Sequence, residues 1–555
     1  MIYTSTFKTS IKATLVALML FSSAAYAQNV DLGEVHGNFQ VDAQYYREDS
    51  IIGAPDFPED VGSNSFLNLI YTRGGFEAGL RYEAYLPTMQ GFTRESGSGL
   101  PYRYARYKRD RLDVTAGTFY EQFGSGMILR SYEEWGLGWD NSIDGVRVKG
   151  EPVRGLQVTG LLGRMRNAQS NKVENLSEGL IRGINADWYI NDSFDSLATA
   201  KTRISIGAGF VSRFQADNDP LLVIPQNVGA FSGRFNLSRG GFLFSAEYAQ
   251  KINDPSTVNN FIYKDGNGIL VQTSYAKKGL GVSLQFKRID NMDFRGDRAA
   301  SGNDLALNFL PPQTRQHTYR LATLFPWATQ PLGEWSTQLE VLYKIKKGTA
   351  LGGKYGTNIT FNFSRINALN KVPTVNPFEG YTADFVGKMD SVLFQDINVE
   401  ISRKFNKKFK ATLNLLHFNY DESLFRQLTG FNTSEDVTAD VQILDMSYKL
   451  KRKHTLRLEL QHCATQQEFG DWAMALVEYT FAPHFFLAVF DEYNYGNAEE
   501  DQRLHYFSGT AGVNFSNYRI QLGYGRQRAG VLCVGGICRF VPASNGVTFS
   551  MTGTF

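Results

Sequence analysis

The feature that most constrains this chain is a period-two alternation of apolar and polar residues that recurs almost from end to end. Phe39, Val41, Ala43 and Tyr45 alternate with Gln40, Asp42 and Gln44, and Phe76, Ala78, Leu80, Tyr82 and Ala84 with Glu77, Gly79, Arg81 and Glu83. Leu339, Val341 and Tyr343 face away from Gln338, Glu340 and Lys344. Leu456, Leu458 and Leu460 face away from Arg457, Glu459 and Gln461, and Tyr518, Ile520, Leu522 and Tyr524 from Arg519, Gln521 and Gly523. Side chains of a strand point alternately to its two faces, so each run reads as a strand with one apolar and one polar face. A soluble sandwich would alternate too, and three further features decide against it. The apolar faces end in aromatics. Tight connections at Arg73-Gly74-Gly75, Lys108-Arg109-Asp110, Arg239-Gly240-Gly241 and Lys277-Lys278-Gly279 alternate with long ones such as 48–64, 87–101, 214–227 and 291–315. The chain ends on an alternating strand, Val547 to Phe555, with a terminal Phe. Aromatic girdles, short turns at one end and long loops at the other are the pattern of an outer-membrane barrel.

The expected fold is therefore all-β: a single large transmembrane antiparallel β-barrel of about 24 strands, with 22 to 26 allowed because the number must be even. The uncertain stretch is 346–392, where Thr357 to Ser364 reads as a strand and the next segment breaks the alternation of loop lengths. Composition agrees. Aromatics are 14% of the 555 residues, Gly numbers 53 and Pro 16, which suits twisted strands and tight turns. Mean hydropathy is −0.28, and no apolar run reaches helical spanning length, so a helical membrane protein is excluded. In lipid, that leaves a closed barrel as the structure able to pair every backbone group.

The N-terminus reads as an export signal, residues 1–27. Lys8 and Lys12 precede the apolar core Ala13–Phe21, and Ala25-Tyr26-Ala27 is an A-x-A cleavage signature that leaves Gln28 first. The apolar core is too short for an anchor, and no Cys follows for a lipoprotein. The expected organisation is 1–27 signal peptide and 28–555 barrel, integral to a bacterial outer membrane. Its expected partners are outer-membrane lipid, the barrel-assembly machinery, which would read Phe555 as its signal, and a periplasmic or surface protein. Without residues 1–27 the chain carries 55 basic and 55 acidic residues, a balance that gives nucleic acid no support as a partner.

Of three cysteines, Cys533 and Cys538 bracket Val534-Gly535-Gly536-Ile537, a tight turn that a disulfide would close in an oxidising compartment. The rival, a metal site, needs more ligands than Cys-x4-Cys offers. Cys463 reads as an inert strand thiol. No metal or cofactor is expected.

The segment 117–147 breaks the alternation. It is rich in Gly, carries Trp135 and Trp139, and mixes charges. A Gly-rich, mixed-charge segment between two strands can fold into the lumen and narrow it. Arg130, Glu133, Glu134, Asp144 and Arg147 are its expected ion-pair residues, with Arg81, Glu83, Glu340, Arg457 and Glu459 on the inward wall. Catalytic signals are poor, and no enzyme is expected. Ser125 lies in Gly-Ser-Gly, which lacks the Gly-x-Ser-x-Gly elbow. Glu133-Glu134 and Glu499-Glu500 read as solvated loop pairs, and His462 and Cys463 point to opposite faces.

At Phe119–Gly126 (Phe-Tyr-Glu-Gln-Phe-Gly-Ser-Gly) and Asn141–Arg147 (Asn-Ser-Ile-Asp-Gly-Val-Arg) the chain resembles an uncharacterised family of large outer-membrane barrels from Bacteroidota. The likeness spans most of the mature chain. More distantly, Gly117, Phe123-Gly124, Arg130 and Asp144-Gly145-Val146-Arg147 resemble alginate-export-type porins over about 30 residues. That second resemblance implies a porin, although the basic lumen of a polyanion channel is not evident here. The functional expectation is a porin-like passive channel constricted by a Gly-rich loop at about 121–142. The alternative is a non-conducting structural or accessory subunit of an outer-membrane secretion or assembly complex, whose loops near 291–315, 346–390 and 421–438 would dock a partner. A TonB-dependent receptor would need a plug domain ahead of the barrel, for which the stretch after Gln28 leaves no room.

Overall fold

The computed structural model describes residues 32–92, 96–168, 173–386, 389–421, 436–467, 469–534 and 537–555. The export-signal reading of 1–27, most of the loop 421–438 and the turn tip 535–536 lie outside the described residues.

Twenty-four antiparallel strands, from Glu34–Tyr46 to Ser544–Thr554, form one sheet in which each strand pairs with its neighbour along the chain. The first strand pairs with the last, from Asn38↔Thr554 to Tyr46↔Gly546. Gly37 and Phe555 then exchange two backbone hydrogen bonds of 2.9 Å, so the terminal residue completes the seam. The sheet is closed and has no free edge. The even count brings both chain ends to the same side, where the tight turns at 74–75, 110–111, 240–241 and 278–279 also lie. Two connections on that side are longer: 190–201, which holds the one-turn helix Ile190–Ser193, and 346–356. Within the stretch that read as irregular, Thr357–Leu369 is a strand. Residues 370–386 lie in a long-side loop with a two-residue ladder, Val372–Pro373 against Tyr381–Thr382.

The alternation has a consequence that differs from its simplest reading. Near the short turns the apolar face points outward, as Leu413, Leu415, Leu456, Leu460, Ile520 and Leu522 show by their exposure. Towards the long loops the faces exchange character. On strand Phe409–Asp421 the inward residues pass from Asn414 to Leu416, Phe418 and Tyr420, all buried, while the outward ones become His417 and Asn419. On strand Asp436–Lys451 the buried inward residues are Val437, Ala439, Val441 and Ile443, and Thr438, Asp440 and Gln442 face out. The strands run on beyond the apolar band. There the outer face meets water, and the inner face meets protein.

That protein is the barrel's own chain. A sheet of this many strands encloses a lumen too wide for wall side chains to fill, and barrels of similar size hold a plug. Here residues 120–142, residues 291–332 and the hairpin of Gly530–Val534 with Ile537–Val541 fold inward. The segment 291–315, expected as an outer loop, is a correction: Met292, Phe294, Leu305 and Leu307 are buried with Phe123, Met127, Ile128 and Leu129 in one apolar cluster. Burying a large apolar side chain contributes about 1.5–3 kcal/mol, so a loop with this many gains by entering the lumen.

Deleting Phe555 removes two seam hydrogen bonds, worth about 1–3 kcal/mol together. The shortened barrel is expected to lose heat resistance on a semi-native gel. An unchanged melting point would show that the seam does not need its last residue.

Candidate functional site

The first inward segment leaves the wall at Phe119 and returns at Ile143. Gly124 takes a positive φ of 56°, and a Cβ there would press on the side chains of Arg234 and Glu247. Only Gly suits both the conformation and the space. The turn seats the Ser125 N–H on Glu247 Oε2 at 2.8 Å, which makes Ser125 a backbone anchor. Phe123 and Met127–Leu129 then pack against the second segment, and the two pair strand-like: Arg130 N–H donates to the Leu307 carbonyl and Phe309 N–H to that of Gly126, both at 2.9 Å.

Beyond this apolar contact lies a buried charge cluster. Strand Phe76–Tyr85 supplies Arg81 and Glu83, strand Leu156–Arg166 supplies Arg166, and the inward segment supplies Tyr120, Glu133 and Asp140. Arg81 Nε lies 2.8 Å from Glu83 Oε1, and Arg166 Nη2 lies 2.7 Å from Glu83 Oε2. Asp140 bridges Arg81 and Arg166, and Glu133 pairs with Arg81 while accepting from Tyr120 Oη at 2.9 Å. Burial by itself raises the Asp140 carboxyl, but the guanidinium groups of Arg166 and Arg81 more than reverse this and hold it below the usual carboxylate range.

The remaining expected residues divide. Arg147 points inward, donating to the Tyr120 carbonyl at 3.0 Å and reaching Glu121 at 3.4 Å. Arg457 lies 3.1 Å from Asp445 and also pairs with Glu459. Glu340 shares the inward face with Gln338, opposite Asn362. Arg130 makes no ion pair among the described residues. Its guanidinium lies 4.0 Å from the Phe309 ring centre and 4.3 Å from that of Tyr132. Glu134 caps the short helical turn Trp135–Leu137. Asp144 departs from expectation: it shares the outward face with the exposed Val146 and Val148 and meets Arg103 at 3.4 Å outside the lumen. Strand parity decides this, because Ile143, Gly145 and Arg147 take the inward positions. Cys533 and Cys538 are joined in a disulfide with their Cα atoms 4.0 Å apart, and Cys463 is buried.

Sequence reasoning missed the second segment. Residues 313–325 cross to the opposite wall and are fixed there strand by strand. Arg315 meets Glu400 at 2.6 Å, His317 meets Asp396 at 2.9 Å and Arg320 meets Glu492 at 2.8 Å. The Leu321 N–H donates to Gln461 Oε1 at 2.9 Å. On the near wall Lys287 reaches Glu334, the Pro311 carbonyl and Thr329 at 2.9, 2.6 and 2.9 Å. A signal was present: a loop carrying Leu305, Leu307, Leu310, Leu321, Phe325 and Trp327 is too apolar to stand in water.

A cavity of about 740 Å³ lies between the inward segments and the wall, lined by Arg81, Glu83, Glu133, Asp140 and Arg166 and by Phe66, Trp135 and Arg539.

A closed antiparallel barrel with an apolar outer band and an inward-folded, charged lumen defines an outer-membrane β-barrel. The chain belongs to the family of unknown function DUF6029, whose profile matches residues 8–555. No curated protein matches it in sequence. Among solved structures it is similar to the translocation pore of the P pilus usher PapC (10% identity, 94% of this chain and 99% of that one, TM-score 0.44). It is also similar to the siderophore receptor PirA from Pseudomonas aeruginosa (10%, 94% and 81%, 0.39) and to OpdQ from the same organism (10%, 83% and 96%, 0.32).

Because the folded pKa of Asp140 is depressed, its contribution is present above the ordinary carboxylate value of about 3.9 and is lost as pH falls through the lower folded value. Hydrogen exchange of residues 120–142 should stay slow from neutral pH down to about pH 5 and quicken only below the ordinary carboxylate value. Asp140→Asn should loosen the same residues at neutral pH by roughly 3–5 kcal/mol, the cost of breaking a buried pair. Exchange unaffected by the substitution would remove the cluster as the segment's anchor.

Proposed function

We propose that the protein is a porin-like passive channel whose lumen is narrowed, in the half nearer the long loops, by residues 120–142 and 291–332. The observation that carries this reading is the charged cavity of about 740 Å³ between those segments and the wall. Its lining joins wall charges, Arg81, Glu83 and Arg166, to charges of the inward segment, Glu133 and Asp140. A lumen that is closed only for stability has no need to keep a charged space of this size; a solute path does. Towards the short turns the wall is polar and partly open, with Asn236, Ser245, Gln272 and Ser283 around a second cavity of about 470 Å³.

One observation favours the accessory-subunit reading. The contact between the two inward segments is dry, with Phe123, Ile128, Leu129 and Leu307 fully buried. A plug so packed does not lift away easily.

The experiment is single-channel recording from the purified protein in a planar bilayer, for the intact chain, a deletion of 124–138, and that deletion combined with removal of 313–325. Small discrete steps from the intact chain, growing with each deletion, support the channel. Silence from the intact chain, with steps only after both deletions, overturns it in favour of the plugged subunit.

A further inference from the structure

Residues 381–385 of the long loop 370–386 lie against the outside of the barrel. On strand Leu280–Asp290 the side chains of Lys287 and Ile289 point inward, Lys287 to Glu334 and Ile289 into the apolar cluster of the inward segments. Strand parity therefore turns Arg288 and Asp290 to the outer wall. Trp335, the register partner of Arg288, shares that outer face. Tyr248 shares it as well, because its neighbour Glu247 points inward to Ser125. The loop lies on these four residues. Arg288 donates to the Asp384 carbonyl at 3.0 Å, and its guanidinium stands 5.6 Å from the Trp335 ring centre and 5.1 Å from that of Phe385. Tyr381 Oη donates to Asp290 at 2.7 Å, and the Phe385 and Tyr248 ring centres are 6.4 Å apart.

Two features set this part of the rim apart. On other strands the outward charges near the long loops stand open, as with His417 and Asp440, whose side chains are 40% and 58% exposed. Here Arg288 and Asp290 are each 1% exposed. An outward charge in water needs no cover, whereas one at the level of lipid must be paired and screened. The loop that covers them also turns apolar side chains away from the protein: Val375, Phe378 and Phe385 are exposed. Tyr248, beside Phe385, is exposed too, and the exposed Phe231 and Phe235 sit diagonally across from it on the next strand. The apolar outer band thus climbs on this side to the loop itself. Three exposed apolar side chains are far fewer than the ~20–30 residues a side of a stable protein interface, which favours lipid as what covers them. Lys371, Glu379 and Asp384 are the loop's charges, and they place it among lipid headgroups, above the acyl core.

We propose that residues 371–386 form a lateral membrane anchor. The loop lies in the interface of the outer leaflet, with Val375, Phe378 and Phe385 against lipid, while Tyr381 and the Asp384 carbonyl cap the outward Asp290 and Arg288. Aromatic side chains favour that interface, so a strap of this kind fixes the depth of the barrel on one side. The anchor lies outside the lumen and stands whether the barrel conducts or is plugged.

The test uses the full-length protein in phosphatidylcholine vesicles. A thiol-reactive fluorophore is placed in turn at Phe385→Cys and Val375→Cys, with Leu413→Cys as the lipid-facing reference and Asp440→Cys as the water-facing one. Wild type controls for labelling of the native cysteines, and heat-modifiable gel migration checks that each barrel is folded. Quenching is read with a doxyl-labelled phosphatidylcholine and with aqueous iodide. The expected result is a loss of fluorescence to the doxyl lipid at both loop sites close to that at Leu413→Cys, with iodide quenching well below that at Asp440→Cys. Val375 is exposed in full, so its variant reports even where Phe385→Cys fails to fold. Iodide quenching at either loop site equal to that at Asp440→Cys overturns the anchor. Protection from both quenchers overturns it in favour of a second copy of the chain seated on the loop.

Discussion

Closing twenty-four strands into one barrel creates a space that the wall cannot fill, and the rest of this structure is organised by how the chain fills it. Backbone pairing in lipid demands closure, and closure at this strand number leaves an interior wider than two opposed side chains can bridge. The chain meets the demand with its own connections, bending residues 120–142 and 291–332 and a disulfide-closed hairpin into the half of the barrel nearer the long loops. Once they are inside, the wall must offer them an apolar bed. That is why the inward faces of strands such as Phe409–Asp421 turn from polar to apolar along their length.

The charges follow from the same constraint. An inward segment takes carboxylates and guanidinium groups out of water, and each must find a partner there. Asp140 and Glu133 meet Arg81 and Arg166, and Arg315, His317 and Arg320 meet Glu400, Asp396 and Glu492. These pairs also fix where the segments sit, because a displaced segment would leave its charges and those of the wall unmatched.

Much of the barrel was legible beforehand. Alternation, tight turns rich in Gly and Lys, and a terminal aromatic strand led to the observed strand number, because strand periodicity is a local property written residue by residue. The inward course of 121–142 was legible for a similar reason: its glycines permit turns that an ordinary loop does not need. The second segment was not, although its leucines and aromatics were in plain view, since apolar residues in a connection can equally face a partner. Asp144 was misplaced because a conspicuous motif was read for its chemistry and not counted for parity.

The sequence by itself determined the closed sheet, the side on which the short turns lie, the presence of a Gly-rich inward segment and the cysteine pair that could close a hairpin. These depend on neighbours along the chain. Only the tertiary structure decided that Arg81, Glu83, Asp140 and Arg166 share one cluster, that residues 313–325 span the lumen, and that Arg539 lies over Phe92. Those residues come from strands and loops as much as four hundred and fifty positions apart, and only the closure of the barrel brings them within reach of one another.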